Sequence, residues 1–205
     1  MTRRLCIVVV AVSGLLAPLA THSQVVDVAG VKFEPSVQVG GTTLQLNGAG
    51  VRYKAIFKVY AAGLYLSTKA ATPDAALAAS GPKLLQIVML REIDGNDLGK
   101  LFTKGLEQNV GREDFSNSIN GILRMSEVFS ARKKLAAGES FAVEWVPGTG
   151  TLIRVNGKPA SEPIKEPEFY SSLMKIWLGN APADAMLKEA LLGKAAKVPG
   201  GNAND

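Results

Sequence analysis

After residue 23, hydrophobic and polar residues alternate with a short period through the first third of the chain. This period is typical of β-strands, in which successive side chains point to opposite faces. Glycine-containing turns separate the alternating segments, so we expect consecutive strands to pair antiparallel. The strands predicted in this part of the chain are Val25–Val28, Val31–Phe33, Val37–Val39 and Thr42–Leu46.

A predicted turn at Asn47–Gly48 is followed by an apolar segment from Val51 to Leu66, which predicts one long strand. Arg52, Lys54 and Lys58 interrupt this segment. A cation in an otherwise apolar strand must remain solvated or pair with an anion. Two interpretations follow. Either the strand lines a cleft and Arg52 faces an anionic or carbonyl-bearing ligand, or the strand faces solvent and its basic residues are hydrated.

The remainder of the chain alternates between helical and extended patterns. Strands, then helices, then two strands, then helices is an α+β order, and it predicts helices covering one face of a mostly antiparallel sheet. Apolar residues at helical spacing predict the helices, and nearly continuous or alternating apolar runs predict the strands. The predicted helices are 72–79, 97–108, 113–136, 168–178 and 183–192, and the predicted strands are Leu84–Leu90, Ser140–Val146 and Thr151–Val155.

The first 23 residues have the pattern of an export signal. Arg3 and Arg4 precede an apolar segment, Leu5–Leu19, that is too short to span a membrane. Small residues before Gln24 predict cleavage there, which places the mature protein in the periplasm. At the other end, residues 194–205 are small and polar and are predicted to be disordered.

Cleavage would remove the chain's one cysteine, Cys6, and its one histidine, His22. A mature chain without thiol or imidazole excludes disulfides, Cys nucleophiles, Ser-His-Asp triads and zinc sites built on those groups. We therefore expect no metal and no cofactor. The acidic segment Asp94–Asp97 resembles a metal loop but lacks a later Glu ligand, so a turn and helix cap is the favoured interpretation.

The charge pattern limits the partners of the mature chain. The formal net charge of +5 falls by two when Arg3 and Arg4 are removed, and the remaining basic residues are scattered. Without a basic cluster interleaved with aromatic residues, nucleic-acid binding is not supported. The mature chain has no second long apolar segment, so no stable membrane anchor is expected. The sequence leaves the oligomeric state open.

Five segments together resemble the chalcone isomerase-like superfamily, in particular its exported bacterial branch. They are Gly48–Arg52, Lys58–Leu66, Met89–Arg91, Trp145–Thr151 and Phe169–Gly179. The resemblance covers nearly the whole mature chain in order. It implies an open-faced β-sandwich, in which a large antiparallel sheet is covered by a helical layer with a ligand cleft between them.

The superfamily includes plant enzymes that cyclise chalcones and non-catalytic members that bind fatty acids. The resemblance makes Arg52 the counterpart of the arginine that stabilises oxyanion charge in the enzymes. An enzyme threonine is matched by Tyr60. The helical tyrosine and asparagine of the enzymes fall at Leu98 and at about Gly105, which supply neither a phenol nor an amide. In the fatty-acid-binding relatives an arginine and a tyrosine hold the carboxylate, a role open to Arg52 and Tyr60.

These observations favour a non-catalytic periplasmic protein that binds a small amphipathic or aromatic carboxylate, such as a fatty acid, through Arg52, Tyr60 and Lys58. The first alternative is an isomerase, an intramolecular lyase acting on an enone-like substrate with Arg52 as its catalytic residue. The second is an assembly partner without a small ligand. A straight strand would place Arg52 and Tyr60 about 26 Å apart. They would therefore share a ligand only if a hairpin falls near Lys54–Ala55.

Overall fold

The structure is a computed structural model and describes residues 24–194. The predicted export signal and nearly all of the predicted disordered tail lie outside these residues. The described strands are β1 (Val26–Val28), β2 (Val31–Phe33), β3 (Ser36–Val39), β4 (Thr42–Lys54), β5 (Phe57–Leu66), β6 (Lys83–Met89), β7 (Ile93–Asp94), β8 (Lys134–Leu135), β9 (Ser140–Val146), β10 (Gly150–Val155) and β11 (Lys158–Pro159). The described helices are α1 (Pro73–Ala78), α2 (Gly95–Asn109), α3 (Arg112–Asn117), α4 (Ile119–Ser130), α5 (Pro167–Leu178) and α6 (Ala185–Leu191).

Seven strands form one sheet in the order β11-β10-β9-β6-β5-β4-β3, and every neighbouring pair is antiparallel. The main core lies between this sheet and the helices, where side chains of β5, β6, β9 and β10 pack against α2, α4, α5 and α6. The predicted α+β architecture, an antiparallel sheet with a helical layer on one face, is confirmed. Within the described residues, no helix is long and apolar enough to cross a membrane.

A smaller apolar cluster lies on the other face of the sheet. The β1–β2 hairpin supplies Phe33, which packs with Leu44 and Tyr65 of the large sheet. Gly63 allows this approach, because a Cβ atom there would lie 2.6 Å from the Phe33 ring. The interior strand β5 is therefore covered on both faces over most of its length.

The prediction of one long strand from Val51 to Leu66 is wrong. The chain reverses at Ala55–Ile56, and β4 and β5 form a hairpin on either side of this turn. Ala55 adopts a φ of 53°, a left-handed conformation that glycine and asparagine usually supply in such turns. The sequence has neither residue there, so the turn carries no local signal.

The predicted turn at Asn47–Gly48 is also wrong, because β4 continues through it with a β-bulge. The register shifts between Leu46 and Gly48 and leaves Asn47 as the extra residue. The Asn47 amide nitrogen donates to the carbonyls of Ala70 and Leu191 at 2.9 and 2.7 Å, and its oxygen accepts from the backbone nitrogen of Ala70 at 2.7 Å. These bonds satisfy a buried side chain and tie the strand to the end of α6.

Two further predictions concern the helical layer. The single helix predicted over 113–136 is wrong: it divides into α3 and α4 at Ser118, and residues 134–135 form β8. The interpretation of Asp94 as a helix cap is confirmed, because its carboxylate accepts from the backbone nitrogens of Asn96 and Asp97 at 2.8 and 3.1 Å. Among residues 24–194, no group of acidic, histidine or cysteine side chains is arranged to hold a metal ion.

Two core tyrosines make the stability of the fold sensitive to alkaline pH. The hydroxyls of Tyr65 and Tyr170 are buried without a hydrogen-bond partner among the described residues. Burial raises the pKa of Tyr65 to about 12, with a smaller contribution from Glu34. Burial also raises the pKa of Tyr170. The native state holds these protons more tightly than the unfolded chain. The free energy of unfolding therefore keeps its full value below the ordinary tyrosine pKa of about 10. It falls as the pH rises above that value, because the unfolded chain ionises first.

The variant Tyr170→Phe should have an unchanged or higher free energy of unfolding at neutral pH, because it removes a buried hydroxyl that makes no hydrogen bond. Above about pH 10 its stability should fall less steeply with pH than that of the parent, because one fewer buried phenol resists ionisation. Urea unfolding between neutral pH and about pH 11 measures both effects. Equal slopes for the two proteins would contradict the prediction.

Candidate ligand-binding site

The β4–β5 hairpin places Arg52 directly opposite Tyr60, since the two residues are partners in the strand register. The next pair is Tyr53 with Lys58, so Val59 is an extra residue that forms a bulge beside the pair. The hairpin therefore brings together two residues that a straight strand would hold far apart. From the sequence, a site shared by Arg52 and Tyr60 is expected only if such a hairpin forms.

Arg52 is half-buried, and its guanidinium carbon lies 5.5 Å from the centroid of the Tyr60 ring. Its Nε atom is buried and has no hydrogen-bond partner among residues 24–194. None of the ion pairs in this part of the chain includes Arg52. A buried donor without an acceptor costs about 1–3 kcal/mol, so an anionic ligand at this position would relieve an existing penalty.

Tyr60 is buried, and its hydroxyl oxygen accepts a hydrogen bond of 2.8 Å from Nε1 of Trp177 on α5. No residue among 24–194 accepts the hydrogen of this hydroxyl. Burial raises the pKa of Tyr60 to about 12, although the Arg52 charge and the Trp177 hydrogen bond act in the opposite direction. The phenol is therefore neutral at physiological pH and has a hydrogen to donate.

Asp184 holds the hairpin against α6. One of its carboxylate oxygens accepts from the backbone nitrogen of Tyr53 at 2.8 Å. The other caps α6 by accepting from the nitrogens of Met186 and Leu187 at 2.8 and 3.0 Å. Because Tyr53 is adjacent to Arg52, this carboxylate fixes the backbone that presents the guanidinium.

Arg52 and Tyr60 form one wall of a cavity of about 250 Å³ between the sheet and the helices. The other walls are mostly apolar and come from α2, α5 and the connection before α6. Lys104 and Gln108 are the exposed polar residues of the lining. The remaining lining residues are Leu98, Leu101, Phe102, Gly105, Ile176, Trp177, Ala181, Pro182 and Ala183.

A second cavity, of about 290 Å³, shares Arg52 and Leu101 with the first and is strongly charged. Its carboxylates are engaged elsewhere: Glu92 pairs with Lys134 at 2.7 Å, Asp97 lies 3.7 Å from Lys100, and Asp94 caps α2. None of these acids forms an ion pair with Arg52. The guanidinium therefore lies between an apolar cavity and a polar one.

A larger cavity, of about 790 Å³, lies elsewhere, between the end of α4 and the β11 region. It is lined by exposed and half-buried residues such as Arg124 and Glu162. It includes no buried polar atom that lacks a partner. Size alone therefore does not identify the site, and the unpartnered Arg52 nitrogen favours the smaller apolar cavity.

The structure brings together two of the three residues predicted to bind a ligand. Lys58, the third, is exposed and lines neither of the cavities at Arg52. The sequence indicates only a core role for Trp177, whose hydrogen bond to Tyr60 crosses 117 positions of sequence. Nothing in the sequence around Trp177 indicates that its indole nitrogen makes this bond.

The order of segments, the sheet and the sheet–helix cavity agree with a known family. The family model described as chalcone isomerase-like matches residues 25–193. The chain belongs to the chalcone isomerase-like family. Comparison with curated proteins gives no significant match.

Among solved structures, this chalcone isomerase-like protein is similar to a fatty-acid binding protein of Arabidopsis thaliana. The TM-score is 0.62 at 16% sequence identity, and the alignment covers 80% of this chain and 92% of that chain. At this identity the similarity establishes a shared fold. The architecture implied by the sequence resemblance is thereby confirmed.

Proposed function

We propose that this protein is a non-catalytic binding protein of the periplasm that holds a small amphipathic carboxylate, such as a fatty acid, in the cavity between sheet and helices. The carboxylate would accept hydrogen bonds from the Arg52 guanidinium and the Tyr60 hydroxyl. The hydrocarbon part would lie against the apolar walls contributed by α2 and α5.

One observation carries this proposal. The buried Nε of Arg52 lacks a partner among the described residues, and both Arg52 and Tyr60 line one cavity. The Tyr60 hydroxyl accepts from Trp177 and keeps its own hydrogen to donate. A guanidinium and a neutral phenol together suit the two oxygens of a carboxylate, which accepts hydrogen bonds only. The Arabidopsis protein of the same fold is a fatty-acid binding protein, which agrees with this ligand class.

The cavity limits the size of the ligand. At about 250 Å³ it is smaller than the usual range of about 300–1,000 Å³ for drug-sized ligands. Leu98, Phe102 and Ile176 provide walls without hydrogen-bonding groups. A carboxylate with a short or medium hydrocarbon chain therefore fits better than a large polar molecule.

The isomerase alternative relies on a helical tyrosine and asparagine that this chain lacks at the matching positions. By resemblance, the helical tyrosine and asparagine of the enzymes correspond to Leu98 and about Gly105, and both of these residues line the cavity with Arg52. Neither side chain donates a hydrogen bond to a reacting oxygen or orients an enone. An assay of chalcone cyclisation by loss of enone absorbance is expected to show no acceleration by the protein.

Paired ligands test the binding proposal. Displacement of a fluorescent fatty acid should be compared for decanoate and decanol, which share a hydrocarbon chain and differ in the charged group. Charge-assisted bonds to Arg52 contribute about 1.5–3 kcal/mol, so decanoate should bind roughly tenfold to a hundredfold more tightly. Equal affinities would refute a carboxylate site. Native mass spectrometry of the protein from cells would identify the ligand that is bound there.

The proposed location has a separate test. The basic and apolar pattern of residues 1–19 and the small residues before Gln24 support export with cleavage before Gln24. The intact mass of the protein from the periplasmic fraction should correspond to a chain that starts near Gln24. A mass that retains residues 1–23, or protein found only in the cytoplasm, would overturn the proposed location.

A further inference from the structure

The tip of the β4–β5 hairpin, residues 54–58, exposes two large apolar side chains next to the cavities. Ile56 is 85% exposed and Phe57 is 58% exposed, whereas most other large apolar residues of the sheet are buried. The turn is formed by Ala55 and Ile56, and not by the polar residues and glycine that most two-residue turns contain. Nothing within the described fold requires an isoleucine at this position.

Cations surround this apolar tip. Lys54 and Lys58 flank the turn and are exposed. The Arg91 guanidinium lies 5.6 Å from the centroid of the Phe57 ring. None of these three cations forms an ion pair within residues 24–194.

The carboxylates beside these cations make their hydrogen bonds and ion pairs with other groups. Glu92, Asp94 and Asp97 line the second cavity with Lys54 and Arg91, but they pair with other lysines or cap α2. Asp184 accepts from the backbone at Tyr53 and in α6. The tip therefore combines exposed apolar side chains with positive charge that is unpaired in the described chain.

We propose that the hairpin tip docks on the surface of an anionic phospholipid bilayer. Ile56 and Phe57 would enter the interface, and Lys54, Lys58 and Arg91 would lie near lipid phosphates. Two apolar side chains on one turn expose too little area for a stable protein–protein interface, which buries about 800 Å² on each partner. At a membrane, two such side chains can hold the protein on the lipid surface when basic residues add electrostatic attraction.

Docking of the tip would place both cavities close to the lipid surface. Arg52 is two residues from Lys54 on the same strand, and Val59, next to the tip, lines the second cavity. An amphipathic ligand would then exchange between bilayer and cavity over a short path. The docking itself does not depend on the proposed carboxylate site.

A dye placed on the tip tests the proposal directly in the mature chain that starts near Gln24. Because that chain has no cysteine of its own, Ile56→Cys is labelled at a single position with a polarity-sensitive fluorophore and mixed with vesicles of phosphatidylglycerol and phosphatidylcholine. The emission should shift to the blue, and high salt or pure phosphatidylcholine vesicles should abolish the shift. The control is Leu123→Cys, at an α4 position that is 55% exposed, and it should show no shift.

The contribution of charge is measured by vesicle sedimentation. Lys54→Gln with Lys58→Gln should lower affinity for the anionic vesicles about twenty-five-fold, since each basic residue near the surface contributes about fivefold. The matched control is Lys69→Gln with Lys165→Gln. It removes two exposed lysines from the opposite end of the sheet and should change affinity little.

Three results would overturn the proposal. The first is the absence of a shift at position 56 with anionic vesicles at low salt. The second is an equal shift at position 123, which would show that the contact is not made by the tip. The third is a concentration-dependent shift at position 56 without vesicles, which would show that the tip is buried against a second copy of the chain. Fatty-acid displacement in solution should remain unchanged in the single variant Lys58→Gln, because Lys58 lines neither cavity, and this separates docking from ligand binding.

Discussion

Replacing Arg52 with alanine should weaken binding of a fatty acid roughly tenfold to a hundredfold. The guanidinium is the one cation in the wall of the apolar cavity that has a buried nitrogen without a partner in the described chain. Its removal deletes a charge-assisted contact with the carboxylate, and it breaks no hydrogen bond of the described fold. The dissociation constant measured by fluorescence displacement should therefore rise, while the free energy of unfolding in urea stays close to that of the parent.

Two controls sharpen this prediction. Arg52→Lys should restore only part of the affinity, because an ammonium group lacks the planar fork that pairs with both carboxylate oxygens. Lys58→Ala removes a cation of the same hairpin that lines neither cavity, so it should leave the affinity in solution unchanged. If Arg52→Ala binds fatty acid as tightly as the parent, Arg52 does not anchor the ligand. If Lys58→Ala weakens binding as much as Arg52→Ala, the site lies elsewhere on the hairpin.

Replacing Gly48 with alanine should destabilise the protein by about 3 kcal/mol or more. A Cβ atom at this position would overlap the carbonyl oxygen of Ala190 and lie 2.8 Å from the nitrogen of Gly193. Both are backbone atoms, so no side-chain rotation relieves the clash. The strand and α6 would have to separate, which would also strain the bond of Asn47 to Leu191.

The matched control for this variant is Gly111→Ala. Gly111, the N-cap of α3, has a φ of −67°, and a Cβ atom added there would meet no atom within 4 Å. The variant should therefore cost no more than about 1 kcal/mol, the usual difference between glycine and alanine at an N-cap. Urea unfolding of both variants against the parent measures the difference. Equal stability of Gly48→Ala and the parent would show that α6 does not approach β4 as closely as described.

The glycines at 48 and 50 illustrate how a feature visible in the sequence can have a different structural role. The sequence pattern indicates a turn before a long strand, because glycine and asparagine commonly form turns. In the structure both glycines lie within β4, where α6 crosses the strand, and a Cβ at Gly50 would lie 2.6 Å from that of Ala190. A close approach by a helix more than 130 residues later in the chain leaves no periodic mark in the local sequence.

The candidate site also combines features visible in the sequence with contacts that only the structure shows. The resemblance of their segments to a family identifies Arg52 and Tyr60, and the structure brings them together across the β4–β5 hairpin. Lys58 lies on the same segment, but the bulge at Val59 interrupts the alternation and Lys58 is exposed. Strand parity is a reliable guide only where pairing continues without an extra residue.

The sequence by itself determined the antiparallel sheet, the helical layer on one face and the Asp94 cap, because alternation, helical spacing and capping are properties of short segments. The tertiary structure alone decided the turn at Ala55–Ile56, the bulge at Asn47 and the bond from Trp177 to Tyr60. The turn follows from the pairing of β4 with β5 and of β5 with β6. The bulge and the bond depend on contacts between segments distant along the chain, which satisfy buried polar groups. The pairing of Arg52 with Tyr60, and with it the proposed ligand site, belongs to this second class.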